Sequence, residues 1–328
     1  MRNFIVITSV FDPTDAVRSF VLQKDYQLIV VADQKTPPSW NLAGAEFISL
    51  EAQEKEEGRL ARLIPLNHYS RKMMGYLRAI HAGADFIIDA DDDIIPKPDW
   101  SFPAHDGEYD TIAFDGFTNV YSYFIHERAW PRGLPLNEVL KTPGIRIPKK
   151  RKPVSVGIWQ GLSDKQPDVD AIFRSFNKKD FYFEQAEPLV LDKKTLSPFN
   201  SQNTSFRKAV FPLLYLPATV SFRFTDILRS YIAQPILWTH GFSLGFVQAN
   251  TIQNRNPHDP LSDFISEIPM YLNAEKIPAI VQSAISDKKS IGENLFDAYR
   301  ELVREKITGE KELEILEAWL REVDGLKG

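Results

Sequence analysis

FIIDADDDIIP, residues Phe86–Pro96, sets four carboxylates (Asp89, Asp91, Asp92 and Asp93) between two apolar runs that read as a buried strand. Like charges crowd together only where a counter-charge offsets their repulsion, so the stretch predicts a positive partner at a strand end. Immediately upstream, SRKMMGYLRAIHAGA (Ser70–Ala84) has helical spacing at Met73, Met74, Leu77 and Ile80, with Gly83 as its stop. Further out, AEFISL (Ala45–Leu50) and YQLIVVAD (Tyr26–Asp33) read as strands, the latter ending on a carboxylate. NFIVITSVF (Asn3–Phe11) is a β-branched run suited to a buried parallel strand, and DPTDAVRSFVLQ follows it with Asp12 before Pro13 as a helix cap. Strand, helix, strand, strand, helix, strand predicts an α/β fold with a mostly parallel sheet covered by helices. Ligands of such sheets bind outside the carboxyl ends of the strands, where the Asp cluster and Asp33 both fall.

The rest of the chain changes character. From Trp100 to about Pro217 it is rich in Pro and aromatics, with short strands such as YDTIAFDGF and a basic loop, IPKKRKP (Ile147–Pro153). That run is read as solvated, or as a flap over a diphosphate or an anionic acceptor. Thr219–Gln248 reads as an edge or strand, a buried helix and another strand, and the chain is helical and charged from about Tyr271. With 328 residues, 43% of them hydrophobic, a substantial core is available. A net charge of −5 argues against nucleic acid as the main partner. The absence of cysteine excludes disulfides, thiolate metal sites and a cysteine nucleophile. The apolar N-terminus is too short for a signal peptide, and no run approaches the roughly 20 apolar residues of a membrane span, so a cytoplasmic protein without a span is expected.

Three chemistries place aspartates at this spacing. An EF-hand loop needs Gly at its sixth position and Glu at its twelfth, where this chain has Ile94 and Trp100. An aspartyl-phosphate phosphatase carries Thr or Val where Asp93 stands, and places the motif in its first strand. The third is the Asp-x-Asp of nucleotide-sugar enzymes, in which Asp91 and Asp93 hold Mn²⁺ or Mg²⁺ against a diphosphate. On that reading the missing positive partner is the metal ion. An acidic turn exposed to solvent is the bland alternative, and the flanking apolar runs argue against it.

NHYSRKMMGYLRAIHAGADFIIDADDDIIP, VFDPTDAVRSF, VVADQKTP and LPATVSFRFTDILRSYIAQPILW together resemble the STELLO-type glycosyltransferase-like family, and more distantly the reversibly glycosylated UDP-arabinopyranose mutases. The resemblance runs from about Ile5 to about Phe264. It implies a GT-A fold: a mixed sheet with flanking helices, a Rossmann-like nucleotide-binding half (1–99), an acceptor half (100–270) and a helical extension (271–328). Thr8 and Asp33 would then meet the nucleoside, and Lys35, Asn67, Arg71, Lys72 and Asp92 the nucleotide and its diphosphate, with Gly75 matching a family glycine. His68 is read as structural. Arg132, in WPRGLPL, matches the arginine that becomes glycosylated in the mutases, and is assigned here to the sugar or diphosphate. Trp159, Asp164 and Asp168 would line the acceptor side, and Asn200 and Asn203 the floor beneath the sugar.

An inverting transferase needs a general base, for which Asp226 is the candidate, against a helix cap or an ion pair with Arg229. If the reaction retains configuration, Asp226 orients substrate instead. A late histidine completes many such metal shells, and His258 is preferred over His240. The resemblance therefore implies a metal-dependent transfer of a sugar from a nucleoside-diphosphate sugar, UDP first among them, to a hydroxyl acceptor. The alternatives are a nucleotide-sugar mutase and a non-catalytic partner of other glycosyltransferases, alone or in an oligomer. A nucleotidyltransferase would show a Gly-rich first loop, which TSVFDPTD lacks.

Overall fold

A computed structural model describes residues 1–56, 58–141, 147–255 and 259–324. Its N-terminal half builds β1 (Asn3–Ser9), α1 (Asp15–Val21), β2 (Tyr26–Ala32), β3 (Ala45–Ile48), α2 (Leu50–Glu56), α3 (Gly58–Leu63), α4 (Met73–His81) and β4 (Phe86–Ala90). The four strands are parallel in the order β3-β2-β1-β4. Val6, Ile29, Val31 and Ile87 lie on one face and Ile5, Ile7, Val30 and Ile88 on the other, all buried, which is why these strands read as continuous apolar runs. Thr14, rather than Asp12, caps α1 by accepting from the Val17 amide. Gly75 lets α4 lie flat on the sheet: a Cβ there would meet Val6 Cγ1 at 2.5 Å and Val31 Cγ2 at 2.6 Å. Gly83 ends the helical segment at φ +80°.

The decisive stretch is two strands rather than one. β4 stops at Ala90, Asp91–Asp93 turn, and β5 (Ile94–Pro96) pairs antiparallel with β12 (Ser243–Gln253). Between them run β6 (Asp106–Ile112), β7 (Gly116–Phe117), α5 (Leu136–Lys141), β8 (Lys150–Lys165), α6 (Ala171–Phe176), β9 (Leu189–Leu191), β10 (Thr195–Leu196), β11 (Asn203–Arg207) and α7 (Thr225–Thr239). β11 joins β4 antiparallel and carries the sheet into β8. The first part of β8 pairs with β6, the rest with β12, and β9 bridges β6 and β12. The expected basic loop is therefore partly strand: Lys150–Pro153 pair with β6, and Lys152 reaches Asp192 at 2.6 Å. The residues before α7 form a short 3-10 turn, Phe222–Phe224, where an edge strand was one expectation.

α8 (Pro260–Asn273), α9 (Ile277–Ala284), α10 (Ile291–Arg304) and α11 (Lys311–Asp324) complete the chain. The expected boundary at residue 270 falls inside α8, and the packing runs across it. Met270, Ile277, Tyr299 and Trp319 share one apolar cluster with Leu77, Ile158 and Ile236. Glu312 accepts from Tyr215 Oη and from the Ala218 and Thr219 amides, which fastens α11 to the loop before α7. Among the described residues no helix is long and apolar enough to cross a membrane.

Candidate functional site

The Asp91–Asp93 turn leaves the carboxyl end of β4, next to the carboxyl ends of β1 and β2. Asp89, the last carboxylate inside the strand, is fully buried between Lys72 Nζ at 2.6 Å and Arg229 Nη2 at 2.8 Å. Lys72 also donates to Asp91 at 2.9 Å and to the Ser201 carbonyl at 3.2 Å, and Tyr69 Oη donates to Asp91 at 2.5 Å. Part of the expected counter-charge is thus supplied by the chain itself. Lys72 stands behind the carboxylates as their buried counter-ion instead of reaching outward for a diphosphate.

Among the described residues, Asp92 and Asp93 have no such cation in hydrogen-bond contact. Asp92 accepts from Ser9 Oγ at 2.5 Å, and its carbonyl accepts from Thr14 Oγ1, so it ties the turn to the β1–α1 loop. Asp93 Oδ2 accepts from Gln253 Nε2 at 3.2 Å, while its Oδ1 is buried with no hydrogen-bond partner among the described residues. Burial, with the neighbouring Asp91 charge adding to it, pushes both carboxyls up to about 6. Asp91 is raised in the same direction, again mainly by burial.

An orphaned, buried carboxylate oxygen beside a second carboxylate, both hard oxygen donors, fits a divalent cation held by Asp91 and Asp93. Among the described residues no group of three or more His, Asp or Glu is placed to hold a metal. His258, the proposed third ligand, lies outside the described residues. His240 closes α7, one 15-residue helix away from Asp226, and bonds to Thr239.

The raised carboxyls have a sign that can be tested. The folded chain keeps protons on Asp92 and Asp93 that the unfolded chain releases near the ordinary 3.8. Their contribution to stability is present below about pH 4 and is lost as pH rises through about 6. Thermal unfolding in EDTA, wild type minus Asp93→Asn, should show that loss across this window. A difference that does not change with pH would mean the carboxyl is ordinary.

The other expected nucleotide residues separate into those at the rim and those spent on the fold. Asp33 accepts from the Gln34, Asn67 and His68 amides at 2.6–3.1 Å, and so holds the loop in which Asn67 takes φ +54°. Asn67 donates to Gln34, and Lys35 is exposed on the same rim. Thr8 turns its hydroxyl onto the Val31 carbonyl. His68 is structural, bonded to Ser70 and to the Val220 carbonyl.

Arg71 is not at the site. It is 1% exposed and donates to the Ala61 and Ile64 carbonyls and to Gln53 Oε1. Sequence cannot separate it from Lys72; the 3-10 turn Tyr69–Lys72 sends the two side chains to different places. Arg71→Met should therefore lower stability by about 2–4 kcal/mol through its unsatisfied carbonyls. The affinity of the folded protein for a nucleotide should stay within about threefold of wild type, as calorimetry on the purified variant would show.

On the opposite wall, Arg132 is 4% exposed and clamps Asp168 and Asp226 together. Its Nε and Nη2 donate to Asp168, Nη1 and Nη2 donate to Asp226 at 2.9 and 2.7 Å, and Nη1 also reaches the Arg223 carbonyl. A guanidinium has five N–H groups, and here protein oxygens take all of them. Arg132 has none left for a sugar or diphosphate, which corrects its expected role. Asp226 has both oxygens on Arg132 and is not bonded to Arg229, which corrects the expected ion pair. Asn203, Trp159 and Asp164 are interior as well. Asn203 bonds to Trp100 and Asn250, Trp159 packs on Tyr109, and Asp164 bonds to Lys97. Asn200 donates to Asp168 from beneath the clamp.

Tyr69, Ser9, Ser201 and Gln253 complete the site and were not read from the sequence. Tyr69 had a signal, an aromatic hydroxyl directly before Ser-Arg-Lys; Gln253, at the far end of β12, had none. Arg255 joins the two walls. It lies 3.9 Å from Asp168 and 3.5 Å from Gln253 Oε1, and burial with the nearby Arg223 and Arg174 pulls its guanidinium down to about 10.

Fold and site together define an α/β protein with a turn of three carboxylates at the carboxyl edge of its sheet. Residues 223–327 match the model of the STELLO glycosyltransferases, as the sequence resemblance anticipated. The probable glycosyltransferases STELLO1 and STELLO2 of Arabidopsis thaliana are each 30% identical to the chain over 98% of its length. The chain spans 44% of the length of either. Among solved structures, glucosyl-3-phosphoglycerate synthase from Mycobacterium tuberculosis, in complex with Mn²⁺ and UDP-glucose, is similar at a TM-score of 0.41. It is 13% identical, with 84% of this chain and 79% of that one covered.

Proposed function

We propose that the chain is a glycosyltransferase that binds a nucleoside-diphosphate sugar, UDP first among the candidates, at the Asp91–Asp93 turn. The observation that carries this reading is the buried Asp93 oxygen, without a hydrogen-bond partner among the described residues, beside Asp91 at the end of a parallel strand. Asp91 and Asp93 would hold Mn²⁺ or Mg²⁺ there, which neutralises charge on the departing diphosphate. Lys72 fixes Asp91 from behind, Tyr69 fixes it from the side, and Gln253 orients Asp93. The Asp33 loop supports the nucleoside end, and the Arg132 clamp keeps the acceptor wall rigid. With its oxygens engaged by Arg132, Asp226 serves to position that wall. The fully engaged Arg132 weighs against a mutase with a glycosylated arginine. The similarity to STELLO proteins supports the reaction class.

Calorimetric titration of UDP, GDP, CDP and ADP, with Mn²⁺ and with EDTA, tests the proposal. One diphosphate should bind only with the metal, and its base then names the donor. If none binds in either condition, the reading falls.

A further inference from the structure

Beyond the Asp91–Asp93 turn lies a cavity of about 330 Å³ between the end of β8, α6 and the start of α8. Its charged lining is Arg174, Lys178, Lys179 and Arg255, against Asp180 and Asp263. Its apolar lining includes Val169, Phe173 and Phe181. Two of the cations, Arg174 and Arg255, are partly buried and incompletely satisfied. Arg174 meets Asp263 at 2.9 Å and Glu267 at 3.5 Å, yet its Nε has no hydrogen-bond partner among the described residues. Arg255 comes no closer than 3.9 Å to Asp168, which Arg132 already holds through two nitrogens. The Nε of Arg255 likewise lacks a partner among the described residues. Lys179 pairs with Glu127, and Lys178 is exposed at the mouth.

Buried guanidinium nitrogens without acceptors are costly, and the groups that satisfy them best are the paired oxygens of a phosphate or carboxylate. The cavity is also next to the chemistry, since Arg255 contacts Gln253, and Gln253 donates to Asp93. Its volume is at the lower end of small-molecule sites and would not enclose a polysaccharide chain.

We propose that this cavity is the acceptor subsite and that the acceptor is a small hydroxyl-bearing acid, phosphorylated or carboxylated, whose anion seats on Arg174 and Arg255. This rests on the donor reading above. In the transfer, the acceptor hydroxyl oxygen bonds to the anomeric carbon. The bond from that carbon to the diphosphate breaks, its electron pair leaves with the nucleoside diphosphate, and the hydroxyl proton is released to solvent.

The test uses the full chain with Mn²⁺ and saturating UDP, so that the donor pocket is filled. Glycerol 3-phosphate and glycerate are titrated against glycerol as the uncharged control. Both anions should bind and glycerol should not. Arg174→Met should weaken the anions by about tenfold or more, and Lys178→Glu by a few-fold, with UDP affinity unchanged. If Arg174→Met does not fold, the charge reversal at the mouth still decides. UDP binding without anion binding, or anion affinity that neither variant changes, overturns the acceptor subsite and leaves the donor reading standing. A protein that binds neither UDP nor anion overturns the donor reading and this proposal with it. Anion binding lost in Arg174→Met, without any UDP binding, leaves an anion site but removes its role as acceptor.

Discussion

Asp89→Asn is expected to lower the unfolding free energy by about 3–5 kcal/mol, the cost of leaving buried charge unpaired. Asp89 lies between two fully buried cations, Lys72 and Arg229, and is itself sealed from solvent. Lys72 would keep Asp91. Among the described residues, the direct contacts left to Arg229 would include Ser201 Oγ, the Asn200 carbonyl and the faces of Phe199 and Phe206, none of them charged. A fall of roughly 5–10 °C in the unfolding midpoint is the corresponding thermal readout. Urea denaturation at neutral pH measures the same loss as a lower midpoint at constant slope. An unchanged midpoint would mean that Asp89 is dispensable as the shared counter-ion of Lys72 and Arg229, and the crowding of four aspartates in this stretch would need a different cause.

The sequence suggested a metal ion as the partner of the whole cluster, whereas Asp89 is matched by Lys72 and Arg229, and the difference is physical. Asp89, Asp91, Asp92 and Asp93 look alike in a string, but the pleat sends Asp89 inward while the turn splays the other three. Which basic residue meets the inward one depends on α4 and α7, far apart in the chain. Lys72 and Arg71 are adjacent in sequence, and only the 3-10 turn before α4 separates an ion-pair partner from a residue that ties down the loop after α3. The parallel half was legible because strands buried on both faces read as near-continuous apolar runs, as Phe4–Ile7 in β1, Leu28–Ala32 in β2 and Phe86–Ile88 in β4 do. β5 was not separable from β4, since both flanks of the Asp turn are apolar and the partner of β5 is β12, about 150 residues on.

α2 and α3 carry no clear periodic signal because EAQEKEEGRLARL is mostly charged, with Gln53, Leu60 and Ala61 as its buried residues among those described. The Lys-Arg-Lys run reads as solvent-loving until β6 and Asp192 are placed beside it. In the site, the carboxylates were visible and the residues that hold them were not. That Arg132 spends all five N–H groups on Asp168, Asp226 and a carbonyl follows from three segments meeting, and no local pattern announces it.

Asp93→Asn should separate function from stability in the same turn. An Asn keeps the shape and the bond from Gln253 but removes the charge that burial penalises. The metal-free variant should therefore be as stable as wild type at neutral pH, or more stable by about 1–2 kcal/mol. Metal-dependent nucleotide binding should weaken by about a hundredfold or more, because one of two carboxylate donors is gone. Thermal unfolding with and without Mn²⁺ and UDP reads both effects. Wild type should gain about 2.7 kcal/mol at a hundred times its dissociation constant, and the variant should gain almost nothing. A variant less stable without metal would assign Asp93 to the fold, as Asp89 is. A variant stabilised as well as wild type by Mn²⁺ and UDP would show that the ion does not use this carboxylate, and the buried Asp93 oxygen, without a partner among the described residues, would then need another ligand.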